Sequence, residues 1–495
     1  LTLDDLDAHL FKCADIIRNT VDKTDYKDFI LPLVFYKSLS DTYEDRYQDK
    51  LDEYGDEEIA RLSTFYDFEV PEGYHWSDLR RQGKNIDAFI NEAFDKIEST
   101  NPEKLEGVFR ADYVAAEGLT DDRLSRLVEH LSTHNLSIQR VHPDLLGEAY
   151  MDLVRHFAQE EGRDGGEFFT PQHIVQLLVR LVAPFKDGDT FHDPTCGSGG
   201  MLVEAARYFR EEQDGDPSRL TFTGQEVNPD IAAIAKINLF LHNLSGEIRR
   251  GDSLMEPHFT EDGRIQRFDY VLANFPFSSD WQKDELQDDP WIRFEWHEKL
   301  PRADRGDYAF IMHMAAQINE IGQAAIVIPH GVLFRKHEAR YREPMIEQDL
   351  LEGVVGLPGN LFQNNSIPCA VLLLNRDKSE ERQGEVQFIH AADEAFYREL
   401  SNQNELTDAG IQHISENFHE WKTEERVSRT VSTEEIRENE YNLNIALYVD
   451  TTEPEEPIDV TEELSRLRKL RMERQKVADR LDSQLKELGY GSEVG

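Results

Sequence analysis

The sequence predicts an α/β protein. A helical N-terminal domain precedes a doubly wound parallel sheet, and a long C-terminal helix follows. Three observations carry this reading. Apolar residues fall three or four apart in "LDDLDAHLFKCADIIRNTV" and "DFILPLVFYKSLSDTY" near the start. From about 165 to 376, short apolar runs alternate with amphipathic helical stretches. Near the end Leu464, Leu467, Leu470, Val477, Leu481, Leu485 and Leu488 recur mostly at helical spacing.

Residues 1–160 show no convincing strand and are expected to form the helical domain. A last helix, "HPDLLGEAYMDLVRHFAQEE", leads into the glycine-rich break "GRDGG". The catalytic α/β domain is expected over 161–376. Its strand candidates are "TFHD" (190–193), "LTFTGQE" (220–226), "FDYVLA" (268–273), "AAIVIP" (324–329), "LEGVVGLP" (351–358) and "CAVLLLN" (369–375). Helices are expected at Gly200–Glu211 and Pro229–His242. Residues 377–455 read as a polar extension with weak signals. The helix in 456–495 either packs on its own domain or forms a coiled-coil seam for a partner.

Composition narrows the classes. The chain carries 98 Asp plus Glu against 54 Lys plus Arg, a net charge of −44. The acids are spread among patterned apolar residues, so this is not a disordered acidic tail. Acid-rich, lysine-poor surfaces suit a halophilic cell, where molar salt screens self-repulsion. Such a chain repels nucleic acid at low salt, so work on DNA requires help in holding it. The three cysteines, Cys13, Cys196 and Cys369, lie far apart, with neither zinc spacing nor a disulfide framework. No metal is expected. No membrane span and no signal peptide are visible, and the expected location is cytoplasmic. The chain starts at Leu1 without Met, so the native start is expected upstream.

Ligands of doubly wound sheets bind beyond the carboxyl ends of the strands. "FHDPTCGSGGMLVEAA" puts Asp193 at such an end, followed by Gly197, Ser198, Gly199, Gly200 and a helix. Glycines admit close backbone approach, and a helix N-terminus offers N–H groups to an anion. No GK[ST] follows, so this is not a P-loop. An acid ahead of a glycine loop fits a ligand with both an ammonium and a carboxylate, such as the methionine end of S-adenosylmethionine. Glu226 ends the next strand, where a carboxylate suits two ribose hydroxyls. Asp252 in "RRGDSL" is placed to accept from an adenine amino group, or it is a plain turn residue. Thr170-Pro171 in "GGEFFTP" reads as a helix start with Thr as cap.

"FDYVLANFPF" ends an apolar strand on Asn274-Phe275-Pro276-Phe277. Two aromatics around a proline, expected to be exposed, suggest a surface for a flat partner. The tetrad resembles the Asn-Pro-Pro-Phe/Tyr of S-adenosylmethionine-dependent amino-methyltransferases. An exocyclic amine on a base is a poor nucleophile because its lone pair is delocalised. A side-chain oxygen and a backbone carbonyl accepting its protons stabilise the charge that builds on attack. An aromatic stacks on a base flipped out of the duplex. Phe275 stands where the family has proline.

"GGEFFTP", "DPTCGSGG", "QEVNP" and "VLANFPF" occur in the order and spacing of one family. So do "LGEAYMDLVRHFA", "GDYAFIMHMAAQI" and "GLPGNLFQNNSIPCAVLLLNR". Along nearly its whole length the chain resembles the modification (M) subunit of type I restriction-modification systems. The resemblance implies a Rossmann-like methyltransferase domain and N6-methylation of adenine in double-stranded DNA. It implies that Glu167, Phe168, Phe169, Thr170, Pro171, Gln172, Asp193, Pro194, Thr195, Gly197, Ser198, Gly199, Gly200 and Glu226 bind S-adenosylmethionine. It implies that Asn274, Pro276 and Phe277 hold a flipped adenine. The implied partners are a specificity (S) subunit that grips the DNA, a second M subunit, and a restriction (R) subunit in complexes that cleave. The C-terminal helix is the implied docking site for the S subunit. Rival readings are an N4-cytosine methyltransferase, a glutamine-methylating enzyme, a binding subunit disabled by Phe275, and a scaffold.

Overall fold

Helices alone build the first part of the chain, and a nine-stranded sheet organises the next. The computed structural model describes residues 2–18, 26–116, 118–160, 169–362, 367–401, 403–451 and 460–488. Two units separate, Leu1–Val449 and Asp450–Gly495. In the first, the main early helices are α1 (Leu3–Ile17), α2 (Tyr26–Tyr54), α3 (Ile86–Thr100), α4 (Asp121–Leu131) and α5 (Pro143–Glu160). Their apolar faces meet in one core that includes Leu6, Leu10, Ile30, Phe35, Ile90, Leu127 and Leu153. Among the described residues before 160 there is no strand.

After α6 (Gln172–Val182) the chain alternates. It runs through β1 (Thr190–Asp193), α7 (Gly200–Gln213), β2 (Thr221–Glu226), α8 (Pro229–Leu241), β3 (Gly246–Arg250) and β4 (Phe268–Asn274). It continues with α9 (Asp307–Gln317), β5 (Ile318–Pro329), β6 (Leu351–Gly356), β7 (Cys369–Asn375), β8 (Glu385–His390) and β9 (Ser428–Ser432). The strand order is β9-β8-β6-β7-β5-β4-β1-β2-β3. β1 therefore lies between β2 and β4, where the order reverses, and both pairings are parallel. That reversal opens a crevice at the carboxyl ends of β1, β2 and β4.

The sheet is mostly rather than wholly parallel. β7 runs antiparallel to both β5 and β6, and β9 antiparallel to β8. "CAVLLLN" is buried throughout, and a run buried on both faces carries no mark of direction. Nor does the sheet stop at 376. The stretch read as a polar extension supplies β8 and β9, six and five residues long among polar neighbours. Edge strand β3, "GEIRR", was also not foreseen, because only Ile248 in it is buried.

α8 explains its own composition. "PDIAAIAKINLFL" is apolar nearly all round, the mark of a helix covered on every side. Ala232, Ala235 and Leu239 face the sheet. Ile231, Ile234, Ile237, Phe240 and Leu241 belong to the core of the helical domain. Phe240 packs edge-on against Phe35 at 5.2 Å and Phe68 at 5.0 Å.

The second unit contains α10 (Val460–Glu487). Leu464, Leu467, Leu470, Val477, Leu481 and Leu488 are exposed along it.

Candidate active site

Asp193 ends β1 and is buried, with its Oδ1 accepting from the Thr195 N–H at 2.9 Å. Burial, reinforced by the charge of nearby Glu226, lifts its pKa to about 8. A buried carboxylate without a cation has a pKa shifted in this direction, and a cationic ligand would reverse the shift. The chain then turns through Gly197 (φ 52°) and Gly199 (φ 81°), both left-handed, into α7. At Gly199 a Cβ would stand 2.8 Å from Leu239 Cδ1, so the loop excludes side chains there on both counts. Gly200 opens the helix, and Ser198 is buried with its carbonyl held by Asn238 Nδ2 at 2.8 Å.

Glu226 ends β2, also buried. Its Oε2 accepts from the Gly197 N–H at 3.0 Å and its Oε1 from the Asn228 N–H at 2.8 Å. Each oxygen keeps a lone pair for a ligand hydroxyl, and the side chain also ties the glycine loop to β2. Burial raises its pKa, while the backbone donors oppose that rise. Val227 beside it is 62% exposed and offers carbon surface at the rim. Asp252 is exposed, and its Oδ1 accepts from the Leu254 and Met255 N–H groups at 2.9 and 3.1 Å, which makes it a turn-stabilising acid. The Ser253 hydroxyl donates to the carbonyl of Pro194, joining that turn to the loop after β1.

Asn274 ends β4. Its Nδ2 donates to Thr170 Oγ1 at 3.0 Å, while its Oδ1 is buried without a partner. Thr195 Oγ1 donates to the backbone carbonyl of Asn274 at 3.4 Å. Thr195 therefore touches both Asp193 and Asn274. Thr170 is not the cap that the sequence suggested. α6 starts at Gln172, Pro171 is the cap residue, and no side chain caps it. Phe169 packs half-buried on the helical core. Gln172 is exposed and donates to Glu204 at 2.8 Å, which points its amide to α7. Glu167 and Phe168 lie outside the described residues.

Only one of the two tetrad aromatics is open. Phe275 is 2% exposed and stacks on Phe310 of α9, 5.1 Å between centroids and 14° between planes. This overturns the expectation of two exposed rings. Pro276 is exposed and Phe277 half-buried, edge-on to Phe275 and Phe362. The next residue, Ser278 (φ 51°), donates its N–H to Asp307 Oδ1 at 2.6 Å, and Asp307 is in turn held by Arg335 at 2.9 Å. Neither Asp307 nor Arg335 was singled out in the sequence. The three tryptophans of the segment between Ser278 and Asp307 pack. Trp281 is buried, and Trp291 and Trp296 lie against the same core. Buried Arg293 locks this segment to the Asp252 turn through the carbonyls of Ser253 and Leu254, at 3.1 and 2.7 Å.

A cleft of about 1260 Å³ lies elsewhere, between the helical domain and the β3 edge, and includes none of the candidate site residues expected from the sequence. Among the described residues no group of three or more His, Cys, Asp or Glu is placed to hold a metal ion, and no helix is long and apolar enough to cross a membrane.

Residues 141–457 match the model of the N-6 DNA Methylase family, and residues 6–131 that of the HsdM N-terminal domain. The chain is 32% identical to the Type I restriction enzyme MjaVII methylase subunit of Methanocaldococcus jannaschii, over 97% of this chain and 83% of that one. It is 29% identical to the MpnII methylase subunit of Mycoplasma pneumoniae, over 92% and 91%. Its fold is similar to that of the type I restriction-modification methyltransferase subunit from Streptococcus thermophilus. There the TM-score is 0.78 at 30% identity, covering 91% of this chain and all of that one.

Proposed function

The chain belongs to the N-6 DNA methylase family as the methylase subunit of a type I restriction-modification enzyme, an adenine-N6 methyltransferase that uses S-adenosylmethionine, and from that premise we propose how its residues divide the work. Asp193, with the loop Pro194, Thr195, Gly197, Ser198, Gly199 and Gly200, and Glu226 hold the methyl donor. Asn274, Phe277 and the carbonyl of Phe275 hold the target base. The buried, unpartnered Oδ1 of Asn274 carries this reading. A buried acceptor left open costs stability unless a ligand fills it.

The donor fits the first group. Asp193 suits its cationic methionine end, the loop N–H groups suit its carboxylate, Glu226 suits its ribose, and Val227 would offer carbon surface to its adenine. Bound S-adenosylmethionine supplies an electrophilic methyl group. The chain does the rest. Asn274 Oδ1 and the Phe275 carbonyl accept the two N6 hydrogens of the adenine. They draw the lone pair out of conjugation and stabilise the positive charge that develops on nitrogen. The Phe277 ring stacks on the flipped base, returning about 1–3 kcal/mol against a flipping cost of a few. The polypeptide forms no covalent bond, and the reaction as drawn needs no metal.

The partners are double-stranded DNA, an S subunit that reads the sequence, a second M subunit and, where cleavage occurs, an R subunit. α10 is the segment we assign to S-subunit docking. The domains are 1–160, 161–376, 377–455 and 456–495, with β8 and β9 of the third completing the sheet of the second. We attribute the −44 charge to a cell rich in salt, and place the enzyme in its cytoplasm with the DNA.

The test is methyl transfer from labelled S-adenosylmethionine to unmodified DNA at high salt, with and without the S subunit, followed by digestion to nucleosides. N6-methyladenine formed only with the S subunit is the expected result. N4-methylcytosine, or donor binding in a formed complex without transfer, would overturn the assignment.

A further inference from the structure

We propose that Thr170 is a positioning residue for methyl transfer, acting through Asn274 rather than on the donor. This rests on the role of Asn274 proposed above and assigns what that role needs. An Asn side chain presents an acceptor on one side and two donors on the other. Only the acceptor can meet the N–H of an amine, so a reversed amide would oppose donor to donor. Something must hold the amide.

Thr170 Oγ1 accepts a hydrogen bond from Asn274 Nδ2 at 3.0 Å. Oδ1 is then left buried and without a partner. The backbone on the same residue is fixed independently, by Thr195 at 3.4 Å and by pairing of Asn274 with Val327. The amide torsion is the freedom that remains, and among the described residues the Thr170 hydroxyl is the amide's only hydrogen-bond partner. The hydroxyl is free for this because it caps nothing: α6 begins two residues on, at Gln172, without a side-chain cap. Preorganising an acceptor removes reorganisation from the reacting step.

The contact separates two roles for Thr170. As a donor-binding residue, its loss should weaken S-adenosylmethionine binding and spare turnover at saturation. As a positioning residue, its loss should leave that affinity unchanged and lower turnover. Thr170→Val keeps the shape and removes the acceptor, and Thr170→Ser keeps the acceptor. The experiment uses the complex with its S subunit, unmodified DNA for single-turnover methylation, a second duplex with 2-aminopurine beside the target adenine to report flipping, and calorimetric donor affinity.

For Thr170→Val we expect donor Kd within about twofold of the parent, methylation slowed about tenfold, and a weaker signal from the flipped base, as the loss of one hydrogen bond predicts. Thr170→Ser should restore both. A tenfold rise in donor Kd with turnover recovered at saturation would overturn the proposal, and so would a Ser variant no better than Val. If the parent complex itself makes no N6-methyladenine, the role of Asn274 fails first, and the two failures are distinguishable.

Discussion

Phe275 and proline would hold the acceptor loop by different means. Proline fixes its own φ. Phe275 instead buries its ring on Phe310 and leaves its carbonyl at the end of β4. On this account Phe275→Pro opens a cavity without improving the loop. Loss of a buried Phe costs about 3–5 kcal/mol, so we expect a lowered Tm and no gain in kcat. A faster enzyme of unchanged Tm would show that stacking is not the anchor. Asp193 gives a second test. Burial raises its folded-state pKa to about 8 from an ordinary 3.8. The donor-free fold therefore holds an extra proton between those values and loses stability as pH rises through that window. Binding a cation must expel that proton. Donor affinity should therefore rise with pH, by up to about tenfold per unit, and level off above pH 8. Titration in buffers of different ionisation enthalpy should count one proton released near pH 7. Asp193→Asn should bind weakly with a flat profile, and a flat profile in the parent would refute the cation site.

At the scale of elements, α8 serves two cores at once. Phe240→Ala removes its aromatic contacts with the helical domain and leaves Ala232, Ala235 and Leu239 on the sheet. The expected loss is about 3–5 kcal/mol, borne by the helical domain. Calorimetry should split into two transitions, with donor binding retained by the later one. A single shifted transition, with donor binding lost in step, would mean the two cores melt as one. What the sequence disclosed follows the same physics. β1, β2, β4, β6 and β7 were legible because their runs are apolar and bounded. β3, β8 and β9 were not, being short with polar surroundings. The glycine turn from β1 into α7 was legible because Asp193, Gly197 and Gly199 form a pattern local in the chain. The bond from Thr170 to Asn274 spans 104 residues, and a hydroxyl before a proline reads equally well as a helix cap. Burial of Phe275 depends on Phe310, which no local pattern pairs with it.

At the scale of the molecule, charge is distributed unevenly. Within a chain of net −44, residues 466–476 of α10 carry Arg466, Arg468, Lys469, Arg471, Arg474 and Lys476 against Glu473 alone. Helical spacing sets Arg471 and Arg474 on the same side as Leu464, Leu467, Leu470, Val477 and Leu481. Arg474 falls within a residue of the middle of Val460–Glu487. Two copies of this helix laid side by side, in either direction, would bring guanidinium against guanidinium at their centre. A polar residue at a seam position selects the partner at a cost in strength. Arg471→Leu with Arg474→Leu should make the seam continuous. Sedimentation at high salt should then show the chain self-associating where the parent does not. An unchanged sedimentation profile would mean the arginines do not govern pairing. Under the docking proposed for α10, the seam would work as a keyed lock, turned away from its own twin and open to a helix with carboxylates at its waist.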